Sequence, residues 1–329
     1  MTALPPRAPP PAAQFVGLGA GILAVSTASL FIRYAQAAGA PSLVIAAYRL
    51  TLASLVLLPL VAWRERAALR RLTAREWRLG LASGVCLGVH FGAWISSLAY
   101  TSVASSVVLV STSPLFVAVL AAVVLRERPT GAVLAGLGLT LAGAGVVGLS
   151  DACPGNICPP LAAFVRGPAF YGDLLALVGA AAAALYYSLG RVLRPSLPLL
   201  VYIFMTYGMA ALVLAGTVLG AGLPLTGYPA EAYLWFGLLA LVPQLIGHSA
   251  FNWALRFLPV TYISVMALGE PVAAIALGAL FLGDVPSTLK LIGGALILVG
   301  LGVASRRAAG AVRGTDREAG LPVTQAGEP

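Results

Sequence analysis

Residues 260–284 of the chain read VTYISVMALGEPVAAIALGALFLGD, an apolar run interrupted by Glu270 and Pro271. About 23 apolar residues in a helix cover roughly 30 Å, the thickness of the hydrocarbon core of a bilayer. The stretch therefore predicts a transmembrane helix with a carboxylate near mid-membrane. Because an acidic residue there costs roughly 2.5–3.5 kcal/mol on insertion scales, we expect Glu270 to face a substrate or ion pathway. A protonated Glu270 with a purely structural hydrogen bond is the alternative interpretation.

The apolar character extends over the whole chain. Hydrophobic residues make up 60% of the 329 residues, charged residues make up 9%, and the mean hydropathy is +0.95. One soluble core cannot bury that much apolar surface, so the composition predicts a polytopic membrane protein in contact with the lipid bilayer. The net charge of +9 does not indicate a nucleic-acid partner, because the basic residues are scattered among loops between apolar runs.

Apolar windows bounded by Pro, Gly and charged residues predict ten transmembrane helices and an all-α fold. They cover about 15–37, 42–63, 78–100, 104–125, 131–149, 170–193, 199–221, 232–255, 260–282 and 287–305. Residues 1–14 form a Pro-rich tail, 150–169 a long external loop and 306–329 a disordered tail. Ten spans put both termini on one side of the membrane.

The basic residues predict which side that is. With the N-terminus in the cytoplasm, sixteen of the twenty Lys and Arg residues fall in cytoplasmic loops and tails. The positive-inside rule then favours a multi-pass protein of the inner or plasma membrane with both termini cytoplasmic.

The two halves of the chain are also similar in sequence. Sliding the chain by 157 residues aligns Pro114 with Pro271, Pro129 with Pro286, Gly136 with Gly293, Gly143 with Gly300 and Gly145 with Gly302. Five spans per half is an odd number, so the second half must enter the membrane inverted. The sequence thus predicts inverted five-helix repeats at 15–149 and 170–305, an architecture typical of secondary transporters.

Pro114 and Pro271 are predicted to interrupt equivalent helices, which marks a hinge or binding site. In the fourth span, Ser111, Thr112 and Ser113 can satisfy the backbone groups that such a break frees. In the ninth span, Glu270 occupies the position that corresponds to Ser113.

Two further spans carry polar residues at helical spacing. In the third span Gly80, Gly84, Gly88 and Gly92 form one face, which predicts close packing against another helix. Cys86, His90 and Trp94 lie on the opposite face. In the eighth span Gln244, His248 and Asn252 are spaced four residues apart. We interpret His90, Trp94 and the polar stripe as candidate cavity lining, and neutral histidines that only join helices as the alternative.

Arg49 is the other charge predicted inside a span. It can extend outward to the membrane surface, or pair with Glu270 or with a substrate carboxylate. For an amino-acid substrate, Arg49 would bind the carboxylate and Glu270 the ammonium group or a coupling proton. Tyr48 and Tyr262 are candidate contacts for an apolar or aromatic moiety.

The external loop holds Cys153 and Cys158 in the string CPGNIC. On an oxidising outer face this pair can close a small disulfide loop, and two cysteines without further ligands do not predict a metal site. The chain has no zinc-protease motif and no glycine-rich phosphate loop, so we predict neither catalysis nor a cofactor.

The sequence resembles the drug/metabolite transporter superfamily in its EamA branch. The resemblance lies in Ala47-Tyr48-Arg49, SPLF in the fourth span, GEPVAA and LFLGD in the ninth, and LIGGALILVGL in the tenth. It implies a ten-helix inverted-repeat transporter that exports an amino acid, aromatic ones included, or a related small metabolite. Another small organic solute or a phosphorylated sugar is the alternative cargo, and an intramembrane enzyme is the rival class. Proton coupling is left open, and a monomer or weak homodimer is expected.

Overall fold

The computed structural model describes residues 11–124, 131–152, 166–258, 263, 267, 269–300 and 302–303. Every regular element in these ranges is a helix. The α-helices are α1 Pro11–Ser26, α2 Ala28–Ala37, α3 Ser42–Arg64, α4 Arg66–Arg70, α5 Ala74–Ser97, α6 Val103–Val110, α7 Ser113–Val124, α8 Gly131–Ala152, α9 Pro168–Leu193, α10 Leu199–Gly220, α11 Ala230–Leu239, α12 Ser249–Ala254, α13 Gly269–Leu282 and α14 Thr288–Gly300. A π-helical segment, Ala240–His248, joins α11 to α12.

Among the described residues, six helical stretches are long and apolar enough to cross a membrane. They are Val16–Ala37, Ser42–Arg64, Ala74–Ser97, Pro168–Leu193, Leu199–Gly220 and Ala230–Ala254. Shorter apolar helices cover Val103–Val117, Leu134–Val147, Gly269–Leu282 and Thr288–Gly300. The predicted all-helical, multi-pass membrane protein is confirmed at this level.

Helices α3, α5, α9 and α10 form the centre of the bundle. Helix α5 packs against α10 through the predicted glycine face. A Cβ atom on Gly84 would lie 2.5 Å from Cβ of Met209, and one on Gly80 would lie 2.4 Å from the methyl group of Met205. No side chain fits at such distances, so these glycines let the two backbones approach closely, as predicted.

Two other helix pairs make similar close contacts. Helix α1 packs on the π-helical segment, where a Cβ atom on Gly247 would lie 2.5 Å from Val25. Helix α8 crosses α14 at paired glycines. A Cβ atom on Gly143 would lie 2.6 Å from the carbonyl oxygen of Gly293, and one on Gly300 would lie 2.7 Å from that of Gly136.

The eighth span is not the single α-helix that the sequence predicts. Its middle is π-helical and contains Pro243. Proline has no N–H to donate to the helix ladder, and an extra residue per turn is a common way to absorb that defect. Of the predicted stripe Gln244, His248 and Asn252, only His248 lines the central cavity.

The described helix of the ninth span begins at Gly269, so Glu270 lies in its first turn, beside the predicted interruption at Pro271. In the fourth span, α6 ends at Val110 and α7 begins at Ser113, so Pro114 stands near the start of a new helix. The Ser111 and Thr112 hydroxyls each donate to a preceding carbonyl oxygen at 2.7 Å, as expected at a helix break.

One end of the bundle is closed by polar contacts between distant segments. The Asp284 carboxylate accepts the N–H of Val103 at 2.9 Å, and Nζ of Lys290 donates to Oγ of Ser102 at 2.8 Å. Arg33 donates to the carbonyl oxygen of Leu98 at 2.6 Å. These bonds attach the hairpin between α13 and α14, and the first span, to the segment that precedes α6.

Candidate functional site

A cavity lies where α5, the α6–α7 break, α9, α12 and the start of α13 meet. The volume of this cavity is about 60 Å³. Its lining includes five predicted site residues, namely His90, Trp94, Pro114, His248 and Glu270, together with Ser111, Ser113, Tyr187, Phe251 and several aliphatic side chains. Residues predicted from four separate spans, the third, fourth, eighth and ninth, are thus brought to one place.

Glu270 supplies the carboxylate in the cavity wall. Its position in the first turn of α13 puts it at the positive end of a helix dipole, which favours a negative charge. The main-chain oxygen of Glu270 accepts a hydrogen bond from Ser26 at 3.4 Å. Within the described part of the chain, no hydrogen bond reaches the carboxylate, so it is available to water or to a ligand in the cavity.

The two histidines face each other across the site, with ring centroids 6.4 Å apart. Nδ1 of His90 lies 2.9 Å from the carbonyl oxygen of Gly179. A carbonyl oxygen can only accept, so Nδ1 carries the proton, and in the neutral ring Nε2 is an acceptor. The His90 ring also stacks on Trp94, with centroids 6.0 Å apart and an interplanar angle of 7°.

Arg49 is fully buried and lies one layer behind the cavity wall. Its Nε donates to Oε1 of Gln244 at 2.8 Å, and its guanidinium carbon lies 4.0 Å from the centroid of the Phe91 ring. The Phe91 ring in turn contacts His248, with centroids 5.1 Å apart. Among the described residues, neither Nη1 nor Nη2 of Arg49 has a hydrogen-bond partner, and the same holds for Nε2 of Gln244. The expected pairing with Glu270 is not formed.

Asn252 belongs to a different polar cluster. Its amide nitrogen donates to the Tyr186 hydroxyl at 2.5 Å and to the Tyr207 hydroxyl at 3.4 Å. Its main-chain oxygen accepts from Nε of Arg194 at 2.8 Å. Asn252 is not among the residues that line the cavity. The sequence did not indicate the burial of Arg194, which ends a span like an ordinary loop arginine.

Tyr48 lies at the closed end of the bundle rather than at the cavity. Its hydroxyl donates to the carbonyl oxygen of Leu225 at 2.7 Å, and its ring stacks on Phe236. Tyr262 and the Cys153–Cys158 pair lie outside the described residues. In the parts of the chain that are described, no group of three His, Cys, Asp or Glu side chains could hold a metal ion.

Ser111 was not predicted to line the site. The sequence assigned it only to the backbone of the helix break, and the structure adds that it faces the cavity. Its place in the turn before Pro114 was the available signal, because a broken helix in a transporter exposes its ends to the binding site.

Known proteins are similar to this chain in family and in fold. The family model described as "EamA-like transporter family" matches residues 13–149 and 170–306. A "Probable terminal-alkyne amino-acid exporter" from Streptantibioticus cattleyicolor is 30% identical over 222 residues, which cover 65% of this chain and 66% of the exporter, just under two thirds of its length. An "Uncharacterized transporter" from Archaeoglobus fulgidus is 26% identical over 219 residues, which cover 63% of this chain and 70% of the relative.

A solved structure titled "Crystal structure of protein" has a similar fold, with a TM-score of 0.63 and 22% sequence identity. The similarity covers 90% of this chain and 99% of that chain. The family model matches twice, and together the two matches cover most of the sequence. The chain therefore belongs to the EamA-like transporter family.

Proposed function

We propose that the protein is a secondary transporter that exports a small metabolite of the amino-acid class across the inner or plasma membrane by alternating access. In this proposal the chain forms ten transmembrane helices as inverted repeats at 15–149 and 170–305, with both termini in the cytoplasm. The observation that carries it is the Glu270 carboxylate, without a partner among the described residues, in a cavity that both halves line.

The contact between α8 and α14 supports the inverted repeat. In the sequence alignment Gly136 corresponds to Gly293, and Gly143 to Gly300. In the fold Gly143 meets Gly293, and Gly300 meets Gly136. Gly143 thus contacts the counterpart of Gly136, and Gly136 contacts the counterpart of Gly143, which is the pattern that a two-fold axis between the two copies produces. Residue numbers increase along α8 in the direction in which they decrease along α14, so the two helices are antiparallel.

Other helix pairs are consistent with the same symmetry. Helix α9, the sixth span, packs along α5, the third span, and α1, the first span, packs on the π-helical part of the eighth. Exchanging the two halves converts the pair of the third and sixth spans into the pair of the eighth and first spans. The cavity lies between the halves, which is where an inverted-repeat transporter holds its substrate while access alternates.

The closed end supports a particular conformational state. With the N-terminus in the cytoplasm, the contacts of Asp284, Lys290 and Arg33 lie at the outer ends of their spans. Two of these bonds, those of Asp284 and Lys290, join the first half to the second, so in this proposal they hold the outer ends of the halves together. Opening the outer route would require these two bonds to break.

The charges in the site favour an amino-acid cargo. Glu270 can bind the ammonium group of a zwitterion, and the buried Nη atoms of Arg49 can bind its carboxylate once Phe91 and His248 move aside. Trp94, Tyr187 and Phe251 supply apolar surface for a side chain, aromatic ones included. The name of the 30%-identical exporter agrees with this cargo class.

Phosphorylated sugars fit the site less well. A dianion needs several basic side chains, and the described residues that line the cavity include neither Lys nor Arg. Other small organic solutes remain the alternative cargo. Proton coupling through Glu270 belongs to the proposal, since a carboxyl group in a membrane transporter can exchange a proton for a substrate amine.

The proposal can be tested with purified protein. A panel of amino acids, organic amines and sugar phosphates is screened for thermal stabilisation, and the compounds that stabilise are then assayed for counterflow in proteoliposomes at two pH values. We expect amino acids to stabilise the protein and to exchange without chemical change. Stabilisation by sugar phosphates alone, or conversion of a compound instead of its movement, would refute the proposed function.

A further inference from the structure

The polar groups that line the cavity are mainly hydrogen-bond acceptors. Glu270 contributes a carboxylate that, when ionised, can only accept. His90 contributes Nε2, which is an acceptor because Nδ1 already donates to the carbonyl oxygen of Gly179. Ser111 contributes a hydroxyl oxygen whose proton is committed to the carbonyl oxygen of Val107 at 2.7 Å. Three separate elements thus present acceptors to one small space.

The other polar groups of the wall do not offset this excess. The indole nitrogen of Trp94 is a buried donor without a described hydrogen-bond partner, so it is one fixed donor against three acceptors. The hydroxyls of Ser113 and Tyr187 can donate or accept, and His248 can do either according to its tautomer. Among the described lining residues, no Lys, Arg, Asn or Gln side chain adds a fixed donor.

The ligand that completes such a wall is a small group with several donors and a positive charge. A primary ammonium group has three N–H donors in a compact head, which matches three acceptors. A quaternary ammonium group has the same charge but no donor. It would leave each acceptor desolvated without a partner.

We propose that the cavity formed by Glu270, His90 and Ser111 is selective for primary ammonium groups and rejects their N-methylated forms. This inference rests on the proposed function, because it specifies which part of the cargo binds at Glu270. It adds that the number of N–H donors on the ligand, and not its positive charge alone, determines how tightly the ligand binds.

The test uses two probe series on the full-length protein. One series is L-phenylalanine with its N-methyl and N,N,N-trimethyl derivatives, and the other is 2-phenylethylamine with the same two derivatives. Affinity is measured by thermal stabilisation and by binding titration. Loss of all three donors is expected to weaken binding roughly 10- to 100-fold, the range for leaving acceptors of a charged site unpaired. The monomethyl compounds should fall in between.

The possible outcomes separate the two proposals. Equal binding of the primary and trimethyl compounds overturns the selectivity, whereas transport of L-phenylalanine would still support the proposed function. Discrimination without transport of any amino acid overturns the proposed function and supports the ammonium site. Failure of all six compounds to bind counts against both.

A serine variant provides an internal control. Ser111→Ala removes one acceptor and should reduce the discrimination between primary and trimethyl compounds about threefold or more. Ser54→Ala is the matched control, because Oγ of Ser54 makes the same local bond, to the carbonyl oxygen of Leu50 at 2.7 Å, and does not line the cavity. Equal discrimination in both variants would rule out the assigned role of Ser111.

Discussion

Asn252 and His248 lie one turn apart in the eighth span and have opposite surroundings. Asn252 is bound by Tyr186, Tyr207 and Arg194, and Oδ1 is its only side-chain polar atom without a described partner. His248 faces a cavity, and beside it Arg49 keeps two nitrogens that have no described partner. The amide nitrogen of Asn252 joins two helices through partners within the protein, whereas the proposed binding groups leave more of their hydrogen-bonding capacity unused. Substitutions should therefore affect stability in the first region and transport in the second.

The largest expected effect is on transport, at Glu270. Glu270→Gln keeps the shape of the side chain and removes the charge that binds an ammonium group. Hydrogen bonds to charged groups contribute about 1.5–3 kcal/mol, so counterflow should fall roughly 10- to 100-fold, and any pH dependence that Glu270 causes should disappear. The thermal midpoint should change little.

The matched control is Glu65→Gln, a partly exposed residue between α3 and α4. It should transport like the unmodified protein. Unchanged transport and unchanged pH dependence in Glu270→Gln would contradict the assigned role of the carboxylate.

Arg49 should show the next largest effect. Arg49→Lys keeps a positive charge but loses the planar contact with Phe91 and the two Nη donors. If those donors bind a substrate carboxylate, amino-acid counterflow should fall roughly tenfold, because a point charge replaces a bidentate pair. The affinity for 2-phenylethylamine, which lacks a carboxylate, should change much less.

Arg33→Lys is the corresponding control at the closed end, where a single carbonyl oxygen accepts from the guanidinium. It should leave the preference between the amino acid and the amine unchanged. Equal losses for both ligands in Arg49→Lys would assign Arg49 to the structure alone.

The sequence predicted the fold class and several residues of the candidate site. Composition and apolar runs indicated a multi-pass helical protein, because the hydrocarbon core leaves few alternatives to a helix. Charges inside the spans indicated Glu270 and Arg49, and helical spacing placed His90 and Trp94 together. Such signals are strong because a polar group in a membrane needs a specific reason to be there.

Other features depend on contacts that no local pattern records. The sequence could not separate Asn252 from His248, because both are polar residues one turn apart and their different partners come from other helices. The burial of Arg194 depends on carbonyl groups of another helix, and its spacing alone resembles that of a loop residue.

Asn252→Ala should show the reverse of the Glu270 result. It leaves the hydroxyls of Tyr186 and Tyr207 without their shared donor inside the bundle, which should cost about 1–3 kcal/mol of stability. A thermal melt should detect the loss, while affinity for the substrate per folded molecule stays within about twofold, a margin below 1 kcal/mol. Thr217→Ala, which removes an exposed bond within α10, is the control and should stay within about 0.5 kcal/mol. A large drop in affinity without a stability loss would place Asn252 at the binding site.

The smallest effect is expected at the closed end, where the proposed alternating access requires the bonds between the two halves to break. The Asp284 carboxylate accepts the Val103 N–H at the start of α6, a contact that resembles a helix cap and contributes about 1 kcal/mol. Asp284→Ala should therefore shift the equilibrium toward an outward-open state about fivefold, because that bond is absent once the end opens. Spin labels on Tyr100→Cys and Val285→Cys, in a background without the native cysteines, would report the change as a longer distance.

Glu231→Ala removes a bond within α11 alone and should leave the distance distribution unchanged. Identical distance distributions in both variants would mean that the Asp284 bond forms when this end closes but does not stabilise the closed state. The polar pairs at this end would then differ from the bonds of Asn252, which are expected to stabilise the fold.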